Sequence, residues 1–490
     1  MSHRPVYKPY PPRASYTPPG PAPINQPAGP GAGPHRPRPS KRKKRRLKKS
    51  VKRFFWIAGT LILILIVRPW RWLAHQEKQQ VAATPQPVQV DPVPLNKILS
   101  NADSELPEAV KFDRAVMAFL RKWDLTGASL AIMKDGNLIY AKGYGWADRE
   151  DGEPMEVRHI LRVASISKLI TATAVMKLWE QGKLQLEGQV FGPNGILNDD
   201  RFCHYTDKRM EQVTVEQLLR HRGGFTVRAG DPMFDWQIVE RVLKRRPPYD
   251  MNDYVEYATR SGLGYRPGAR TAYSNLGYVV LSKVIEKVSG VPYERYVQDS
   301  ILAPAGCYDM HIGQSRHEDK FPNEVRYYET KEAEPVPACD GSGQLVPKSN
   351  GGNDIHGLSG AGGWVASPTE LLRFVAAIDG DPSRKDILKP ETIRRMTQET
   401  KGVLPIGWMH AKADGTWSRT GSMSGTNALL RKQSNGYVWV FVTNTSSWKG
   451  SRFHGYISSM LRQAFGKVEE WPEKDMFEAD SLMGSENEMP

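Results

Sequence analysis

Residues Val163 to Gly182 read VASISKLITATAVMKLWEQG, an apolar helix whose first turn carries Ser165 and, three positions on, Lys168. Residues three apart on a helix share a face, so the lysine amine can reach the serine hydroxyl. The helix start also offers backbone N–H groups without intrahelical partners, suited to an oxyanion on an attacked carbonyl. A lysine acting as base must be neutral, which requires burial or a neighbouring cation to lower its pKa from about 10.4. Ser-x-x-Lys alone is a weak signal, because it recurs at Ser40 with Lys43 and at Ser446 with Lys449. Only Ser165 stands at the head of an apolar helix. Without a second motif the reading as an N-cap or first-turn serine is favoured.

The second motif is Tyr273, Ser274 and Asn275, in GARTAYSNLGYVVLSKVIEKVSGVPYERYV, and no other tyrosine of the chain has an asparagine two positions on. GAGGWVASPTELLRF follows from Gly360, and Arg419, Thr420 and Gly421 follow in WSRTGSMSGTNALL. In this order the motifs resemble the serine β-lactamase and D-alanyl-D-alanine carboxypeptidase superfamily, above all the class C β-lactamases, related D-Ala-D-Ala peptidases and esterases sharing their fold. The stretch VTVEQLLRHRGGF is similar to that family's T-V-x-x-L-L-x-H-x-S-G phrase. The likeness runs from about residue 108 to residue 465.

The resemblance implies roles. Ser165 would be the nucleophile, Lys168 its base and Tyr273 the second member of the acid and base machinery. Asn275 would position substrate and Lys168. The Ser422 N–H would join that of Ser165 as an oxyanion hole, with Thr420 and Arg419 contacting substrate beside Gly421. A phenol serves as base only where cations favour the phenolate; otherwise Tyr273 is a core tyrosine at a helix start. The family usually carries Lys-T-G or His-x-G at the third motif, so Arg419 is a departure. Its planar fork suits a carboxylate, and it could equally be a surface arginine on an edge strand. His221 reads as a helix-end residue, His356 and its glycine-rich surroundings as possible pocket lining, and Trp236 and Trp408 as substrate platforms or core.

The implied reaction is acyl transfer on an amide or ester through a serine acyl-enzyme, without a cofactor. Peptide, β-lactam and ester substrates stay open, because pocket shape and deacylation rate separate these branches and motifs do not report either. A catalytically silent, membrane-anchored scaffold of the same fold is the rival. No His-Glu-x-x-His or comparable ligand spacing supports a metal. The three cysteines, Cys203, Cys307 and Cys339, allow one disulfide and no framework.

The pattern of elements predicts an α+β domain, a β-lactamase/transpeptidase-like fold whose antiparallel sheet draws on both chain ends around a helical region. Helices are expected over Ala109–Trp123, Ser167–Gln181, Val213–Arg222, Asn275–Val288 and Arg452–Phe465. A hairpin turns at Asp135 and Gly136, and late strands are expected around Gly362–Ala366, Ala428–Arg431 and Gly436–Asn444. Polar residues 313 to 357 show no clear period.

Outside that domain, composition decides. The chain has 490 residues and a formal charge of +15, with 68 Lys and Arg against 53 Asp and Glu. Seventeen of the basic residues, and no acidic one, fall in residues 1–75, so the remainder is nearly neutral and a basic groove for nucleic acid is disfavoured. Residues 1–53 read as a Pro-rich, disordered arm ending in KRKKRRLKKSVKR, which abuts the apolar FFWIAGTLILILIV. Residues 54–73 are therefore expected to be a transmembrane signal anchor, with a cleaved secretory signal as the alternative. The positive-inside tendency places the arm in the cytoplasm and the domain outside, on the periplasmic face of a cell inner membrane. Residues 74–105 read as a Pro-rich linker, 106–466 as the hydrolase domain and 467–490 as an acidic, frayed tail.

Overall fold

The computed structural model describes residues 92–228 and 230–479, all within one compact unit that begins at Val90. The expected arm and anchor, residues 1–53 and 54–73, lie outside the described residues, as do most of the linker and the end of the tail. Among the described residues no helix is long and apolar enough to cross a membrane.

Helix α1 (Val110–Lys122) leads into strands β1 (Gly127–Lys134) and β2 (Asn137–Asp148), joined at Asp135 and Gly136 as the turn chemistry demands. Helix α2 (Ser167–Glu180) carries Lys168 and helix α3 (Asn275–Ser289) begins at Asn275. Strands β3 (Trp417–Met423), β4 (Thr426–Lys432) and β5 (Tyr437–Thr443) precede helix α4 (Phe453–Phe465). The sheet has seven strands in the order Glu153–Pro154, β2, β1, β5, β4, β3, His410–Ala411, and every pairing is antiparallel. Pairing of Leu130 with Phe441 and Ala131 with Val440 joins the two ends of the chain, as the element pattern predicts.

Strand β1 is buried along nearly its whole length rather than on alternate residues. The alternation is real but sorts residues between two cores. Leu130 and Ile132 pack with Phe112, Val116 and Phe119 of α1 and with Phe453 and Ile457 of α4. Ala131 and Met133 face the larger core that contains α2 and α3. Helix α2 is apolar all round and accordingly central: Leu169, Ile170, Ala172, Val175 and Met176 are fully buried. Helix α3 ends on Gly290, whose φ of 74° is the left-handed cap that glycine accommodates without a Cβ clash.

Three expectations need correction. The helix foreseen over Val213–Arg222 is only Val215–Leu219, because His221 turns the chain into the left-handed region at φ 57°. The folded domain also exceeds 106–466 at both ends. Leu95 is fully buried in the main core, and Asn96 Nδ2 donates to Arg158 O at 2.9 Å and to Asp309 Oδ2 at 2.8 Å. At the other end Met476 and Phe477 are buried, and Asp475 Oδ1 accepts from Leu138 N at 3.0 Å, so the tail is docked rather than frayed through residue 479. All three cysteines are free.

Candidate active site

Ser165 lies in a single 3-10 turn, Ala164–Ile166, that feeds directly into α2. Ala164 immediately before it takes φ 49°, a conformation that costs a non-glycine residue of order 1 kcal/mol and is held only where surroundings over-determine it. The surroundings here are β3. Arg419 Nε donates to Ser165 O at 2.8 Å, and Gly421 lies so close that a Cβ would sit 2.3 Å from Val163 O and 3.2 Å from Ser165 N. The edge of the sheet thus clamps the turn that carries the serine.

Behind Ser165, which keeps partial exposure, the Lys168 side chain is fully buried. Its Nζ lies 3.0 Å from Ser165 Oγ and 2.7 Å from Asn275 Oδ1, and it donates to the carbonyl of Ala361. Asn275 is oriented in turn by Asp231, whose Oδ2 accepts from Asn275 Nδ2 at 2.6 Å. An asparagine so held presents its oxygen, not its nitrogen, to the lysine.

Tyr273 completes the group. Its hydroxyl accepts from Arg419 Nη2 at 3.0 Å, and Lys168 Nζ lies 5.0 Å from its ring centre. The ring stacks on His221, with centroids 4.2 Å apart. His221 Nδ1 accepts from Ser274 N at 3.1 Å, which fixes the turn before α3. Burial and the charges of Arg419 and Lys168 hold the imidazole pKa well below its ordinary value, so this histidine is neutral.

The electrostatics suit proton exchange. Burial, the largest influence, lowers the Lys168 pKa from 10.5 to about 8; the Arg419 charge lowers it too, while Tyr273 and Asp231 act against. For Tyr273, burial opposes the phenolate, but the charges of Lys168 and Arg419 outweigh it and bring the hydroxyl to about 8. Two groups this close titrate as a pair, and a proton can pass between them with little driving force near neutral pH.

A scan of known families matches the Beta-lactamase family over residues 112–458. The chain belongs to that family. It is a serine hydrolase of β-lactamase fold. The Bacillus subtilis (strain 168) protein PbpX, named as a penicillin-binding protein, is 25% identical over 448 residues, covering 88% of this chain and 99% of its own. Esterase EstB of Burkholderia gladioli is 27% identical over 295 residues, covering 58% of this chain and 72% of its own. Among solved structures, the D-amino acid amidase of Ochrobactrum anthropi SV3 superposes with a TM-score of 0.57 at 20% identity, covering 74% of this chain and all of that one.

Within this family member the motif residues converge unequally. Ser165, Lys168, Tyr273, Asn275 and Arg419 form one bonded cluster. Arg419 is fully buried, which removes the reading of a surface arginine. Thr420 and Ser422 are half-exposed and alternate with the buried Arg419 and Gly421, so their side chains lie on the opposite face of β3. Arg419 and Gly421 are the residues of this strand that meet the Ser165 turn. His356 is exposed, and Trp408 is buried against Trp417 in the core. Sequence reading missed Asp231 and the Ala361 carbonyl: neither a loop carboxylate nor a backbone oxygen has a motif of its own. Among the described residues no cluster of three His, Cys, Asp or Glu could hold a metal ion.

Proposed function

We propose that this β-lactamase-family hydrolase works through Ser165 as nucleophile, on a peptide-like amide or an ester, from a domain anchored to the membrane by residues 54–73. The observation that carries the chemistry is the fully buried Lys168 ammonium within 3.0 Å of Ser165 Oγ, its charge opposed by burial and by Arg419. In the reaction, Ser165 Oγ attacks the carbonyl carbon while its proton passes to the Lys168–Tyr273 pair. The N–H groups of Ser165 and Ser422 stabilise the oxyanion. The tetrahedral intermediate collapses, the leaving group takes a proton from Tyr273, and water releases the acyl group by the same steps in reverse.

A D-Ala-D-Ala carboxypeptidase-like or β-lactamase-related activity fits the overall likeness to PbpX. One observation favours an esterase instead. Arg419, expected to take a substrate carboxylate, is buried and spends two of its three nitrogens on Ser165 O and the Tyr273 hydroxyl. That geometry asks less of the substrate's free acid. Incubation with penicillin, a p-nitrophenyl ester and a D-Ala-D-Ala peptide, read by intact-mass spectrometry beside Ser165→Ala, tests both readings. An adduct absent from the variant supports Ser165, and the reagent turned over fastest names the branch. No Ser165-dependent adduct or turnover would favour the silent scaffold.

The anchor reading rests on the junction of KRKKRRLKKSVKR with FFWIAGTLILILIV. Recovery of the protein in the soluble fraction after alkaline extraction of membranes would overturn it.

A further inference from the structure

We infer that His454 is a positioning residue for the oxyanion hole, because its Nε2 lies 2.9 Å from the carbonyl oxygen of Gly421, in the peptide unit that also bears the Ser422 N–H. The inference rests on the proposed function above, in which that N–H meets the oxyanion.

His454 sits in the first turn of α4 with 8% of its surface exposed. Its second nitrogen, Nδ1, lies 2.8 Å from Ser451 O. Carbonyl oxygens only accept, so each of these contacts requires a proton on the nitrogen that makes it. The tautomer with Nε2–H serves Gly421, and the doubly protonated ring serves both.

The consequence follows from the planarity of the peptide bond. The Gly421 carbonyl and the Ser422 N–H belong to one resonance-linked unit and point to opposite sides of it. A donor on the carbonyl draws electron density from the nitrogen and makes the N–H a stronger donor, the cooperative effect known for chains of hydrogen bonds. His454 also fixes the direction of that N–H from behind. Arg419 and the missing side chain of Gly421 press β3 onto the Ser165 turn from one side. His454 holds the same strand from α4. Oxyanion donors work by being fixed before the charge appears, so a donor held at both ends of its peptide is the arrangement expected of such a site.

The test uses the full chain and a p-nitrophenyl ester. His454→Gln keeps an amide donor near the Nε2 position, His454→Asn keeps one only near Nδ1, and Ser165→Ala controls the parent reading. Steady-state kinetics give kcat and KM. Isotope-edited infrared spectroscopy of the acyl-enzyme gives the ester carbonyl stretch, which falls as the oxyanion hole polarises the carbonyl. His454→Asn is expected to lose about tenfold in kcat, less than removal of a donor outright, with KM nearly unchanged and the carbonyl band moved to higher frequency. His454→Gln is expected to restore most of both.

A wild-type kcat and band in His454→Asn overturns the inference, and so does a loss of rate with an unmoved band, which marks a purely structural tie. If His454→Asn does not fold, 15N NMR of histidine-labelled wild type decides: an unprotonated Nε2 at His454 overturns the proposal. Turnover that survives Ser165→Ala would instead overturn the parent reading, and is distinguished by that variant alone.

Discussion

Arg419 donates from Nη2 to the Tyr273 hydroxyl at 3.0 Å, and the same guanidinium donates from Nε to the backbone oxygen of Ser165 at 2.8 Å. One planar side chain therefore sets the distance between the Ser165 turn and the phenol, and supplies a cation that favours the phenolate. A lysine at this place would keep the charge but has a single head for two acceptors on different elements.

Two substitutions separate these contributions. Arg419 lowers the pKa of both Lys168 and Tyr273. Removing its charge in Arg419→Met raises both, so the ascending limb of kcat/KM against pH moves to higher pH. Arg419→Lys leaves the limb near its wild-type position while kcat falls by about 10- to 100-fold, the range of a positioning defect. A limb that stays in place in Arg419→Met would remove the electrostatic role.

Lys168 also ties stability to pH. Its folded pKa is about 8 against an ordinary 10.5, so the unfolded chain binds a proton that the folded chain has released between those values. The contribution is present above about 10.5, and is lost as pH falls through about 8. The depressed Tyr273 acts with the same sign. Urea unfolding of wild type and Lys168→Met from pH 7 to 10 is expected to show the difference moving in favour of wild type by of order 1–3 kcal/mol. A difference that does not change with pH would contradict the assignment of a depressed lysine.

Much of this site is legible in the sequence because it sits on regular elements. Ser165 stands in the turn that feeds a helix visible from its apolar run, Lys168 lies in that helix's first turn, and Asn275 opens a second helix that closes at a glycine. Strand β3 is legible only through the resemblance of Arg419, Thr420 and Gly421 to the family's third motif. What the pattern does not carry is which face of that strand is buried, and this decides whether Arg419 meets substrate or Tyr273. Asp231 sits in a loop without period, so only folding reveals that it reaches Asn275. The domain ends fail for a related reason. Leu95 with Leu99, and Met476 with Phe477, are apolar pairs in polar surroundings, too short for a periodic signal yet long enough to seal a core edge.

Gly421 is a position where an extra methyl group is diagnostic. Its Cβ would fall 2.3 Å from Val163 O, a backbone atom with no rotamer through which to yield. Gly421→Ala must therefore push β3 away from the Ser165 turn and widen the gap between the N–H groups of Ser165 and Ser422, the proposed oxyanion donors. A kcat loss of about 100-fold and a destabilisation of about 1–3 kcal/mol are expected, the first from the displaced donor and the second from overpacking. Steady-state kinetics and thermal unfolding check the two separately, and wild-type kcat in a folded Gly421→Ala would rule out Ser422 as a donor.

Asp231 acts on the chemistry only through Asn275, so its effect should vanish once Asn275 is gone. Asp231→Ala frees the Asn275 amide to rotate and present nitrogen to Lys168, an unfavourable pairing that should lower kcat about tenfold. Asn275→Ala removes the acceptor altogether and should cost more. In the double variant the two losses are expected not to add, leaving a rate close to that of Asn275→Ala, because residues acting in series share one interaction. Fully additive losses in that cycle would mean that Asp231 reaches Lys168 or the substrate by a route of its own.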